Sequence, residues 1–184
     1  MGIYYINEHV LSANVRAVIT DDQQRATFVL IGKWGCVGDA VKVYNLSGDV
    51  LASAIQVDYA TPATFDLYIG DQKVGTLKHV VSLRRGFYAI RNLKWLATAN
   101  FKRQGYSIHS FHGRVMKMTK RTTYQGDMYQ IKVKDEELVP ICICIGAVID
   151  YWNRLTQKEI SFNQPLIYDK QVPFSVQCIE EEDS

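Results

Sequence analysis

Hydrophobic and polar positions along this chain alternate over short runs broken by turn residues, which is the pattern of β-hairpins. Val41-Lys42-Val43-Tyr44 and Val50 to Val57 flank Asn45-Leu46-Ser47-Gly48-Asp49. Phe65 to Ile69 and Val74 to Leu77 flank Gly70-Asp71-Gln72-Lys73. Gly105 to Ile108 and Val115 to Thr119 enclose a turn near Gly113. No 3.6-residue amphipathic pattern precedes residue 138, so the body is predicted to be nearly all β.

Three stretches recur in order, which points to two similar β-units. Phe28 to Trp34 aligns with Ala89 to Trp95 through a shared Lys-Trp, and Val43 to Leu51 aligns with Ile108 to Met116. More loosely, Phe65 to Ile69 matches Met128 to Val133. Two such units can pair edge to edge and close a barrel without free edges. Residues 138–149, Leu-Val-Pro-Ile-Cys-Ile-Cys-Ile-Gly-Ala-Val-Ile, depart from this pattern. Pro140 behind Asp135, Glu136 and Glu137 fits a helix N-terminus, whereas Ile-Cys-Ile-Cys-Ile alternates like a strand. Pattern alone leaves both open; a helix apolar on all sides would have to be buried all round, as inside a barrel.

At 184 residues, 47% hydrophobic and 22% charged, the chain has the composition of a globular domain. The N-terminal residues lack a basic and apolar leader, and the longest apolar run is shorter than the roughly 20 residues of a spanning helix. The expectation is an intracellular, cytoplasmic chain without a transmembrane segment. Cys36, Cys142, Cys144 and Cys178 are accordingly expected to be reduced structural thiols. Cys142-x-Cys144 has no second pair at zinc spacing, and His109 and His112 have no third ligand in sequence, so neither metal nor cofactor is expected. There is no nucleophile elbow and no phosphate loop around Gly32, Gly35 and Gly38, and no enzymatic activity is expected.

The net charge of +2 conceals a division along the chain. Residues 1–83 carry 6 basic and 8 acidic side chains, residues 84–134 carry 12 and 1, and residues 135–184 carry 3 and 10. A strand over 115–121 would turn Met116, Met118 and Lys120 to one face and Lys117, Thr119 and Arg121 to the other. Arg84, Arg85, Lys102, Arg103 and Arg114 fall at expected strand ends or turns. With Lys117, Lys120 and Arg121 they form a candidate surface for anionic lipid head groups. A solvated basic face, neutralised in part by the acidic C-terminal segment, is the plainer account. Nucleic acid is disfavoured because the basic stretch has no groove-entering helix or RNA-binding motif.

The β-units with Lys-Trp motifs, the Tyr/Ile-containing hairpins with central glycine, and the apolar run ending in Asp150-Tyr151-Trp152 resemble the LURP-one-related family over about residues 25–153. That family belongs to the tubby-like superfamily with the phospholipid scramblases. The resemblance implies a closed antiparallel barrel of about twelve strands, from two similar halves, around a central hydrophobic C-terminal helix near 138–152. On that basis residues 1–153 form one barrel domain, and 154–184 a C-terminal extension packing on it with an acidic frayed end. The family brings no established enzymatic activity. The resulting expectation is a non-enzymatic protein binding anionic phospholipid head groups or the inner membrane surface, peripherally, with no protein partner indicated. The alternatives are an intracellular interaction or structural module, and an enzyme using the barrel mouth.

Overall fold

A computed structural model describes residues 1–7, 14–60, 63–80, 86–100, 105–123 and 126–162. Twelve antiparallel strands close into a barrel, each paired with its neighbour in the chain and the first paired with the last. They are β1 (Gly2–Asn7), β2 (Asn14–Asp21), β3 (Ala26–Lys33), β4 (Ala40–Tyr44), β5 (Val50–Gln56) and β6 (Phe65–Ile69), followed by β7 (Gln72–Val80), β8 (Gly86–Arg91), β9 (Trp95–Asn100), β10 (Gly105–Ser110), β11 (Gly113–Thr123) and β12 (Gly126–Val133). The seam between β1 and β12 runs from Gly2 opposite Val133 to Asn7 opposite Met128. A short 3-10 turn, Glu136–Leu138, leads into one helix, α1 (Val139–Phe162).

The three hairpins legible in the sequence are present as β4–β5, β6–β7 and β10–β11. Gly48 and Gly113 sit at the turns of the first and last with φ of 95° and 112°, a backbone region costly for residues with a Cβ. Two of the three internal alignments join equivalent strands of the half-barrels β1–β6 and β7–β12: β4–β5 with β10–β11, and β6 with β12. The Lys-Trp alignment does not. Trp34 follows β3, while Lys94-Trp95 lies where β8 turns into β9, and β3 and β8 run in opposite directions round the ring.

The alternative left open over 138–149 resolves to helix. Residues 141–150 are all buried, and α1 packs on β4, β5, β6 and β12, so it threads the bore. Inward strand positions such as Ile19, Leu30, Val41, Val43, Leu67 and Ile108 are completely buried around it. At Gly146 the helix passes close to the β11 methionines: a Cβ there would lie 3.0 Å from Met118 Sδ. The expected boundary at 153/154 falls inside the helix, which continues to Phe162; residues 163–184 lie outside the described residues. The polarity, apolar within and mixed outside, is the reverse of that in aqueous-lumen membrane barrels. No described helix is long and apolar enough to cross a membrane.

Cys142 and Cys144 are free and buried, and burial pushes the Cys144 thiol up to about 12, so both are unreactive packing residues. Cys36 departs from the expectation of reduced thiols: it is disulfide-bonded. It lies in the exposed β3–β4 connection, away from the apolar run that shields the other two.

Candidate functional site

Because the strands alternate in direction, the barrel has two rims. α1 starts at one, which also carries the β2–β3, β4–β5, β6–β7, β8–β9 and β10–β11 turns; the helix leaves through the other.

The bore near the exit rim holds a polar cluster centred on the helix. Asp150 is 1% exposed, yet both of its oxygens are engaged. Oδ1 accepts from the hydroxyls of Tyr106 at 2.6 Å and Tyr129 at 2.7 Å, and Oδ2 from Arg154 Nε at 2.7 Å. One turn on, Asn153 Oδ1 accepts from Tyr88 OH at 3.0 Å. Burial, and then the Asp150 charge, drive the Tyr106 phenol far above its ordinary range, so it stays a donor. Trp34 stacks on Tyr151 with ring centroids 4.6 Å apart. A buried carboxylate with three hydrogen-bond donors is an anchor for the helix.

The basic residues distribute differently from the sequence expectation. Arg84, Arg85, Lys102 and Arg103 lie outside the described residues. The four others all belong to β11, where about 3.3 Å per residue separates Arg114 from Arg121 by about 23 Å. Lys120 is a correction: it shares the inward face of Met118 and Tyr129, pairs with Asp127 at 2.7 Å, and has a side chain 22% exposed. The period-two alternation that turns the methionines inward also turns Lys120 inward at the rim. Arg121, exposed at the same rim, makes a 3.5 Å hydrogen bond to Gln130 Oε1. Arg114 and Lys117, by contrast, join a cluster that includes residues the sequence reading did not single out.

Lys117 stands directly across the ladder from Lys132. The positions flanking the pair are Ser107 on β10 and Ile3 on β1, so no carboxylate adjoins it in the sheet. Like charges directly opposed in a sheet are destabilising. Toward the helix-entry rim the same wall leads to Arg114 and Lys134. These two, with Lys94, line a cleft of about 690 Å³ bounded also by Trp95, Phe111, His112 and Leu138. Lys94 holds a left-handed backbone, φ 53°, in the β8–β9 turn. Two carboxylates share the cleft, and both have local partners: Asp135 Oδ1 accepts from Glu137 N, capping the 3-10 turn, and Glu136 Oε1 lies 3.7 Å from the N-terminal ammonium. Among the described residues, none of Lys94, Arg114, Lys117, Lys132 and Lys134 has an ion-pair partner.

Phe111 caps this cluster, 99% exposed at the tip of the β10–β11 turn. Ser110 shapes that turn, its hydroxyl accepting from His112 N and donating to Gly113 O, both at 3.2 Å. His109 and His112 are both exposed, and no group of three His, Cys, Asp or Glu residues able to hold a metal occurs among the described residues.

Over 132 residues, 72% of its length, the chain is 25% identical to the Uncharacterized protein YxjI of Bacillus subtilis (strain 168), and the match covers 82% of that protein. No family model matches the chain. No solved structure matches it. Lys94, Lys132 and Lys134 could be found in the sequence only as members of the basic stretch, because their neighbourhood is made by three separate chain segments meeting at one rim.

Proposed function

We propose that this is a non-enzymatic, LURP-one-related protein of tubby-like architecture that attaches reversibly to anionic phospholipid surfaces on the cytoplasmic side. The observation that carries the reading is the opposed pair Lys117 and Lys132, continued by Arg114, Lys134 and Lys94 into one rim cleft. The opposed lysines, with no carboxylate beside them in the sheet, cost stability through repulsion unless an anion compensates them. Each cation near an anionic bilayer contributes about fivefold in affinity, so five together give attachment that is measurable and reversible. The family resemblance, a closed barrel around a central apolar helix, supports the same reading. The buried anchor at Asp150 favours a binding role over chemistry in the barrel mouth.

The test is flotation with vesicles of phosphatidylcholine alone and with added phosphatidylserine. The protein should float with the anionic vesicles at low salt, lose most binding as salt shortens the reach of exposed charges, and lose it at low salt in a Lys117→Glu, Lys132→Glu variant. Flotation indifferent to phosphatidylserine and to salt would sink the reading and leave the basic cluster to a protein partner.

A further inference from the structure

Basic side chains without an ion-pair partner among the described residues gather on one side of the helix-entry rim, whereas Arg25 and Lys73 on the other side are paired with Asp21 and Asp66. The rim's β2–β3, β4–β5 and β6–β7 turns carry the exposed acids Asp22, Asp49 and Asp71. Its β8–β9 and β10–β11 turns and the end of β12 carry exposed Arg91, Lys94, Arg114 and Lys134, followed by the exposed acids Asp135, Glu136 and Glu137 at the foot of the helix. At the tip of the basic sector stands Phe111, an aromatic ring with almost its whole surface in water. Leu46, at the equivalent turn of the acidic sector, is 62% exposed but sits three residues from Asp49.

A ring left in water at a hydrogen-bonded turn, above a cleft lined by Lys94, Arg114 and Lys134, matches a bilayer boundary in both of its properties. The head groups supply negative charge to the cations, and the acyl boundary supplies an apolar medium to the ring. An anionic surface would repel the acidic sector. From this geometry we infer that the barrel docks tilted onto its β8–β12 sector, with Phe111 inserted into the bilayer interface and Lys94, Arg114 and Lys134 at head-group level. The inference rests on the lipid-binding reading above and adds to it an orientation, an inserting residue and a face that stays in water.

Vesicles containing phosphatidylserine, with and without brominated acyl chains, test it on the full chain. Phe111→Ala should lower vesicle affinity about tenfold, the loss expected when a ring of that area is withdrawn from an apolar medium. Phe111→Trp should show quenching by brominated lipid in excess of the wild type, whose own tryptophans provide the background. Leu46→Trp should show no excess. Both positions are exposed, so the variants should retain the wild-type melting temperature. If anionic vesicles bind the protein but Phe111→Ala floats like wild type and Phe111→Trp gains no quenching, the inserted ring is wrong while lipid binding stands. Equal quenching at position 46 would overturn the tilt. Absence of any flotation would remove the lipid reading and this inference together.

Discussion

The β4–β5 and β10–β11 hairpins occupy equivalent places in the two half-barrels, on opposite sides of one rim, and are built alike. Each turns through a glycine with positive φ, Gly48 or Gly113, and each contributes inward residues that are completely or almost completely buried, Val43 and Ala52 in one, Ile108 and Met116 in the other. At the tips they part. In the first, Asn45 and Asp49 close the turn on each other through two 2.8 Å bonds, Asn45 Nδ2 to Asp49 Oδ2 and Asp49 N to Asn45 Oδ1. In the second, the serine-shaped turn leaves Phe111 outside, with Arg114 beside the cleft. The inward positions answer to the helix and the outward positions do not, so the same hairpin can carry opposite chemistry at its tip without a change in its inward packing.

That separation can be broken from the inside. Ile145 is completely buried, and Ile145→Asp would place an unpartnered carboxyl in the bore, costing more than about 4 kcal/mol. Both hairpins should be lost together, read as loss of soluble expression; a folded variant would mean that the core they share is not at residue 145. Asp150→Ala comes next, at about 2–3 kcal/mol, because it removes the acceptor that two tyrosine hydroxyls share inside the barrel and the ion pair with the partly exposed Arg154. Urea unfolding measures this, and a change below about 1 kcal/mol would contradict the anchoring role given to Asp150.

A smaller effect sharpens the comparison. Gly48→Ala and Gly113→Ala should each cost about 1 kcal/mol, since alanine is strained at either φ. The two losses should be similar in thermal unfolding, while only the second should disturb vesicle binding. The smallest effect concerns pH. Burial lowers the His79 pKa, and its Nδ1 has no hydrogen-bond partner. The unfolded imidazole, with a pKa of about 6.5, therefore takes up a proton before the folded one. Its neutral form is fully compatible with folding above that value, and stability should fall as the pH drops through it. His79→Asn should flatten the melting temperature between about pH 7 and 5, and an unchanged slope would assign the acid sensitivity elsewhere.

The hairpins were legible because alternation and turn glycines are local signals, and the barrel followed from their number and repetition. The helix was not legible from Ile141-Cys142-Ile143-Cys144-Ile145 itself, whose β-branched alternation suits a strand; burial on all sides decides for helix. Counting charge puts Lys120 in the candidate surface, although its register with Met116 and Met118 points inward. The Asp150 cluster was hidden because Tyr88, Tyr106 and Tyr129 come from three strands and meet only in the closed bore. For the same reason the rim cleft, made of the β8–β9 turn, the β10–β11 turn and the segment after β12, left no linear motif.

The seam joining Gly2 to Val133 constrains how the molecule comes into being. The first strand must wait for the twelfth, and the element that fills the bore follows the twelfth in the chain. Closing the ring therefore means bringing together residues more than a hundred positions apart, the kind of long-range contact that slows folding. During synthesis, the first eleven strands have neither a closing partner nor a plug, and two sheet edges stay open until β12 (Gly126–Val133) has emerged. A nascent chain of this protein should depend on its surroundings to keep those edges from pairing with others, and a truncation before residue 139 should aggregate rather than leave a smaller barrel.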